Sequence, residues 1–159
     1  MKRQISEADA KSRLAALCAK SEHCCGEMLD KMRQWEVAED AQARIMQYLI
    51  EHKFVDDERY TRAMAIDKVR YNKWGRKKIE QALWMKHVDT DIIKTVLDDI
   101  PDKEYLDVLR PLLKAKRKSV RGNSGYEITQ KLVRFAMSRG FDYRLIKECL
   151  GDVDEDFCD

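Results

Sequence analysis

The sequence predicts an all-α protein built of three tandem three-helix repeats, drawn out into an elongated, curved, solenoid-like array. Three observations predict it. Apolar residues recur at i, i+3, i+4 and i+7 through most of the chain, the spacing of one helical face. Helix-start signals, a Ser or Asp just ahead of an apolar run, accompany those faces. One arrangement of cap and inward positions also returns at a period of about fifty residues. Composition agrees. Two prolines and six glycines in 159 residues are too few for the turns of a sandwich or barrel. The chain is 44% hydrophobic, enough for a core, and 38% charged, against about 25% in an average domain. The charges fall inside periodic segments, so the excess reads as exposed helical surface.

The first helix follows Ser6, an N-cap with Ile5 and Ala10 as a small staple, and turns Ala10, Leu14, Leu17 and Cys18 inward. Ser21 is placed to cap a second helix, with Cys25, Met28, Leu29 and Met32 on one face and an end near Gln34-Trp35. The third follows Val37, starts weakly at Ala38, and buries Ala41, Ile45, Tyr48 and Leu49. Asp56 caps the fourth, with Val55 and Tyr60 as its staple. Asp57 and Glu58 in its first turn, and lysine and arginine at its end, match the helix dipole. Its expected stripe is Tyr60, Ala63, Met64, Ile66 and Val69.

Trp74-Gly75 opens the fifth helix, which buries Ile79, Ala82 and Leu83. Asp89 caps the sixth, Val88 is stapled to Ile93, and Ile92, Ile93, Val96 and Leu97 face inward before Pro101 stops it. The seventh starts at Asp102 and carries Tyr105, Leu109, Leu112 and Leu113. Pro111 removes the hydrogen bond to the Asp107 carbonyl and predicts a kink or a split there. After the loop Gly122-Asn123-Ser124-Gly125, Ser124 and Glu127 form a capping box for the eighth helix, whose face is Ile128, Leu132, Phe135 and Ala136. Gly140 ends it as a left-handed cap, and Phe141, Asp142 and Ile146 repeat the staple-and-cap scheme for the ninth.

The repetition is explicit in Val88-Asp89-x-x-Ile92-Ile93-x-x-Val96-Leu97 and Phe141-Asp142-x-x-Leu145-Ile146-x-x-Cys149-Leu150. Upstream, Lys86-His87-Val88 answers to Arg139-Gly140-Phe141, and Gln34-Trp35-Glu36-Val37 with Ala41, Ile45 and Met46 fits the same frame more loosely. The repeats are expected at residues 1–53, 54–101 and 102–151, with an acidic, frayed tail over 152–159 holding Asp152, Asp154, Glu155, Asp156 and Asp159. A compact nine-helix bundle with chance similarity is the alternative. The return of caps together with apolar positions speaks against it.

Net charge is only +2, but the positive charge is local. No acid interrupts Lys68, Arg70, Lys73, Arg76, Lys77 and Lys78, nor Arg110, Lys114, Lys116, Arg117, Lys118 and Arg121. A solvated helix face is the plain reading of either run alone. Two such runs on one modular surface favour a polyanion or an acidic protein groove. Five cysteines, an odd number with no export segment ahead of them, read as reduced thiols in the cytoplasm. No apolar run approaches the roughly 20 residues of a membrane span.

No enzyme is expected. There is no nucleophile elbow, phosphate-binding glycine loop or HExxH. His23-Cys24-Cys25 lacks the spacing of a zinc site and reads as packed thiols, so no metal or cofactor is implied. His52 and His87 sit at helix ends, where capping or solvent accounts for them, and Asp56-Asp57-Glu58 is explained by helix capping. Trp35, Trp74 and Trp84 lie near helix ends and read as packing anchors, although an exposed Trp74 among lysines could stack on a base.

Phe54-Val55-Asp56-Asp57-Glu58-Arg59-Tyr60-x-Arg62-Ala63, then Trp74-Gly75-x-x-x-Ile79-x-x-x-Leu83-x-x-Lys86-x-Val88, resembles the RecX family, bacterial regulators of the RecA recombinase. So does Lys131-Leu132-x-x-Phe135-x-x-x-Arg139-Gly140-Phe141. The resemblance covers the chain after about its first twenty residues. It implies three tandem three-helix repeats in a cytoplasmic protein, taken here as a monomer, that binds the groove of the RecA–single-stranded DNA filament. Such proteins usually inhibit the recombinase's ATP hydrolysis and strand exchange, and so regulate DNA repair, recombination and the SOS response. Some bind DNA directly. Three departures stand out: Trp35-Glu36 replaces a lysine-glycine, His87 replaces a glycine, and Pro111 interrupts a helix that is normally continuous.

Charge pattern and resemblance together place Arg70, Lys73, Arg76, Lys77 and Lys78, with Lys114, Lys116, Arg117, Lys118 and Arg121, against acidic recombinase surface or the phosphates of single- or double-stranded DNA. The rival reading is a stand-alone helical DNA-binding module, with the fifth helix as its recognition helix.

Overall fold

The computed structural model describes residues 5–155 of the chain, and among them it contains nine α-helices and no strand. These are α1 (Glu7–Lys20), α2 (Cys25–Gln34), α3 (Glu39–Glu51), α4 (Asp57–Arg70), α5 (Arg76–Met85), α6 (Thr90–Asp98), α7 (Asp102–Arg117), α8 (Gly125–Ser138) and α9 (Tyr143–Glu155). The expected all-α class is what the chain adopts.

Two compact units divide it. The first is Met1–Ala63 with Leu83–Val96, and the second is Met64–Ala82 with Leu97–Asp159. In the first, α3 packs on α1 and α2. Its core includes Leu14, Met28, Met32, Ile45 and Leu49, all fully buried or nearly so. In the second, α7, α8 and α9 pack on one another around Leu109, Leu113, Leu132, Ala136, Phe141 and Ile146. Each fully buried Leu, Ile or Phe contributes about 1.5–3 kcal/mol relative to exposure, so these short helices are held by packing more than by propensity.

The repetition is visible in backbone hydrogen bonds. At the end of α2, Val37 N–H donates to Met32 C=O (3.0 Å) and Glu36 N–H to Arg33 C=O (3.0 Å). After α5, Val88 donates to Leu83 (3.2 Å) and His87 to Trp84 (3.0 Å). After α8, Phe141 donates to Ala136 (3.2 Å) and Gly140 to Met137 (2.9 Å). This is one Schellman termination made three times. Its left-handed residue is Glu36 (φ 56°), His87 (φ 61°) and Gly140 (φ 89°) in turn. The two non-glycine departures noted in the sequence therefore sit at the position that favours glycine. The turn after α3 has the same form, with Lys53 at φ 58°.

Caps follow the sequence with some corrections. Ser6 Oγ accepts from Asp9 N–H, Asp56 Oδ1 from Arg59 N–H, and Asp89 Oδ1 from Asp91 N–H. Ser21, expected to cap the second helix, instead terminates α1. The cap of α2 is Cys24, whose N–H donates to Glu27 Oε1 at 3.2 Å. At α8 Ser124 Oγ accepts from Glu127 N–H, but the Glu127 carboxylate receives Asn123 N–H (3.0 Å) and not that of Ser124. That N–H holds the Glu127 carboxyl below its ordinary pKa.

The stripe on α4 is rotated from the one expected. Ala63 is exposed, while Thr61 and Ala65 are fully buried. Thr61 is admitted to the core because its hydroxyl donates to Asp57 C=O at 2.6 Å, leaving no unsatisfied polar group. Pro111 does not split α7, which runs unbroken from Asp102 to Arg117. Pro111 and Asp107 both lie on the exposed side, so water can serve the orphaned carbonyl. Tyr105, Leu106, Leu109 and Leu113 hold the opposite side in the core. Helix α9 continues through Gly151 to Glu155, and the remaining tail positions, including Asp156 and Asp159, lie outside the described residues.

Candidate partner-binding surface

All ten sequence-predicted basic residues fall in the second unit. The structure divides them by what they touch. Arg76, 28% exposed, is committed: its Nε lies 2.7 Å from Glu80 Oε1 and its Nη2 lies 2.7 Å from Asp98 Oδ1. Arg70 reaches Glu104 at 3.8 Å and Lys77 reaches Asp142 at 3.9 Å. Lys73, in a left-handed turn (φ 57°), is exposed, as are Lys114, Lys118 and Arg121. These four form no side-chain ion pair among the described residues. Arg117 is partly buried on α7.

Two aromatic rings organise the others. Lys68 and Lys78 stand over the half-buried Trp74 ring, at 4.9 and 4.8 Å from its centroid. Lys116 and Arg139 stand over Phe135, at 4.8 and 5.3 Å. Arg139 also donates from Nη1 to the Asn72 carbonyl at 3.4 Å. The two basic runs are thus joined through Arg139 and Phe135. Each cation–π contact is worth about 0.5–1 kcal/mol at an exposed site, enough to orient an ammonium without neutralising it.

Beneath this surface is a tight backbone contact. Gly75 N–H donates to Arg139 C=O at 2.8 Å and Lys77 N–H to Gly140 C=O at 3.0 Å. A Cβ on Gly75 would lie 2.3 Å from Phe141 N and 2.4 Å from the Gly140 carbonyl. A comparable approach occurs in the first unit, where a Cβ on Gly26 would lie 2.1 Å from Lys86 O. In both, a helix start rests on a left-handed turn of the same kind. Gly26 has no place in the sequence-based expectations, and Arg139 enters them only through the Arg139-Gly140-Phe141 motif, not as a binding residue. A glycine in the first turn of a helix, where it lowers stability unless something needs the space, was the signal available for Gly26.

No group of three or more His, Cys, Asp or Glu able to hold a metal occurs among the described residues. Cys18, Cys24, Cys25 and Cys149 form no disulfide among the described residues, and Cys158 lies outside them. Burial pushes the Cys24 thiol up to about 11, and burial together with Asp57 pushes Cys25 up to about 12. Neither is an activated nucleophile. No helix of the described residues is long and apolar enough to cross a membrane. Trp84 departs from its expected role as a packing anchor: it is 66% exposed, beside Met85 at 67%.

Comparison with known proteins bears on this geometry. The family model described as the second three-helix domain of RecX matches residues 56–97, and that of the third three-helix domain matches 102–150. The regulatory protein RecX of Clostridium perfringens (strain 13 / Type A) is 32% identical over 119 residues, 74% of this chain and 55% of that one. Its namesake in Acinetobacter baylyi is 26% identical over 153 residues, 96% of this chain and 93% of that one. A crystal structure of RecX from Lactobacillus salivarius matches with a TM-score of 0.83 at 21% identity, covering 93% of this chain and 96% of that one. This chain therefore spans little more than half of the clostridial relative's length.

Proposed function

The chain belongs to the RecX family, and on that premise we propose that it regulates the RecA recombinase by binding in the groove of the RecA–single-stranded DNA filament. Bound there, it blocks subunit addition and obstructs the second DNA strand, lowering ATP hydrolysis and strand exchange. It acts in the cytoplasm as a monomer and makes or breaks no bond itself.

The observation that carries this reading is the joined basic surface. Arg139 ties the Trp74 cluster to the Phe135 cluster, so charges about forty residues apart in sequence serve one surface. Lys73, Lys114, Lys118 and Arg121 are exposed in the same unit and make no side-chain ion pair among the described residues. Exposed ion pairs such as Arg70–Glu104 and Lys77–Asp142 are worth at most about 1 kcal/mol each, so an incoming phosphate or carboxylate displaces them at little cost.

Against a stand-alone DNA reader, the first turn of α5 is already engaged. A recognition helix contacts base edges with its N-terminal residues. Here Gly75 and Lys77 give their N–H groups to the 139–140 turn, and Arg76 is held by two carboxylates.

The test is single-stranded-DNA-dependent ATP hydrolysis by RecA, with the unaltered chain and with Lys73, Lys114, Lys118 and Arg121 changed together to Glu. Inhibition by the first and its loss in the second is the expected pair of results. Full inhibition by the charge-reversed chain removes the basic surface from the mechanism. Where phosphates are contacted, log affinity falls with log salt by about 0.7 per phosphate on single strands. Naked DNA bound as tightly as recombinase-coated DNA at equal salt favours the stand-alone reading instead.

A further inference from the structure

The first unit carries a surface that the basic patch does not explain. Trp84 and Met85 end α5 with two-thirds of their surface in solvent, and both are apolar. With His87, Val88, Asp89 and Thr90 they line an open groove of about 560 Å³. Buried tryptophans are among the side chains that dominate binding at interfaces, so two adjacent exposed apolar side chains around a concavity mark a contact site.

The rim says what fits. Asp89 and Asp91 are exposed at the start of α6. Lys86, next in sequence to the lining residues, is drawn off to Glu27, with Nζ 3.4 Å from Oε2. The groove is therefore an apolar floor with an acidic edge. It complements an apolar side chain, aliphatic or aromatic, with a lysine or arginine next to it. It is opposite in sign to the basic surface of the second unit and cannot serve the same polyanion.

We propose that this groove is a second docking site on the regulator, and that it receives an apolar side chain flanked by a basic residue on a recombinase subunit. The inference rests on the functional reading above. In it, the basic surface supplies a salt-sensitive attraction and the Trp84–Met85 groove supplies a salt-insensitive anchor. Aromatic anchors of this kind dominate binding energy when buried in a partner's pocket, whereas rim charges mainly set on-rate and salt dependence.

The experiment measures the Kd of the full chain for RecA filaments on single-stranded DNA at low and at high salt, for the unaltered chain and for Trp84→Ala, Met85→Ser and Asp91→Lys. Circular dichroism of each variant checks that the fold is kept, as the exposure of all three positions leads one to expect. Trp84→Ala is expected to weaken binding roughly tenfold or more, by the same factor at both salts. Asp91→Lys is expected to weaken it at low salt and to lose that effect at high salt. Binding of Trp84→Ala equal to the unaltered chain overturns the inference and leaves the functional reading standing. No filament binding by the unaltered chain overturns both. A dimer of this chain that Trp84→Ala dissolves assigns the groove to a second copy, and also overturns the inference.

Discussion

Replacing Gly75 with alanine tests the tightest contact in the second unit. The added carbon would meet three backbone atoms, Phe141 N at 2.3 Å and the Gly140 carbonyl C and O at 2.4 Å. No side chain can swing aside. Restoring ordinary contact near 3.4 Å moves the turn by roughly 1 Å, which carries the Gly75–Arg139 and Lys77–Gly140 hydrogen bonds out of their normal range. Two lost hydrogen bonds at about 1 kcal/mol each, with about 1–3 kcal/mol of overpacking, give a destabilisation of about 3–5 kcal/mol. Gly125→Ala is the control. It has nothing within 4 Å and opens α8, so it should be neutral or stabilise by up to about 1 kcal/mol. Urea unfolding reads the magnitude, and amide hydrogen exchange over residues 72–82 and 136–142 reads the place. The reasoning fails if Gly75→Ala unfolds within about 0.5 kcal/mol of the unaltered chain, or if the extra exchange appears elsewhere.

Glu36→Gly and His87→Gly should each stabilise the chain by about 0.5–1 kcal/mol, since both residues are exposed and held at positive φ; a lower urea midpoint for either would count against left-handed strain there. Raised thiol pKa values make the fold alkali-sensitive. Below the ordinary value of 9.0 the contribution is complete, and between about 9 and 11 the unfolded chain loses the Cys24 proton while the folded chain keeps it. Stability therefore falls by up to about 1.4 kcal/mol per pH unit for that thiol, and Cys24→Ala should flatten the dependence of Tm on pH across that window; equal slopes would refute it. Glu104→Gln with Asp142→Asn frees Arg70 and Lys77, so elution from a heparin column should move to higher salt, and an unchanged position would show that these pairs do not compete with a polyanion.

What was legible in the sequence was local. Caps at Ser6, Asp56, Asp89 and Ser124 need only a side chain and an N–H two or three residues on, and all four form. The left-handed turns could be read because they reuse the same frame of apolar neighbours. What escaped depends on residues far apart in the chain. The basic runs look free of acid along the sequence, yet Asp98, Glu104 and Asp142 reach the first of them from α6, α7 and the turn before α9. Gly26 is required by the carbonyl of Lys86, several helices along the chain. The exposure of Trp84 was readable in part. Ile79 and Leu83 fix the inner face of α5, and the next two positions turn about 100° and 200° away from it. Residue type suggested burial there, and helical phase was the better guide. On α4, Thr61 was passed over as polar because its bond to Asp57 C=O leaves no mark in an apolar pattern.

Trp74, with the ammonium groups of Lys68 and Lys78 against its ring, also makes the molecule its own optical gauge. An indole's emission colour responds to nearby charge, and here two charges sit within 5 Å of the ring. Any anion that draws either lysine away changes the electric field the fluorophore feels. A chain with Trp35 and Trp84 changed to Phe would thus report engagement of this surface by a spectral shift, with no label attached and no need to know beforehand which anion has arrived.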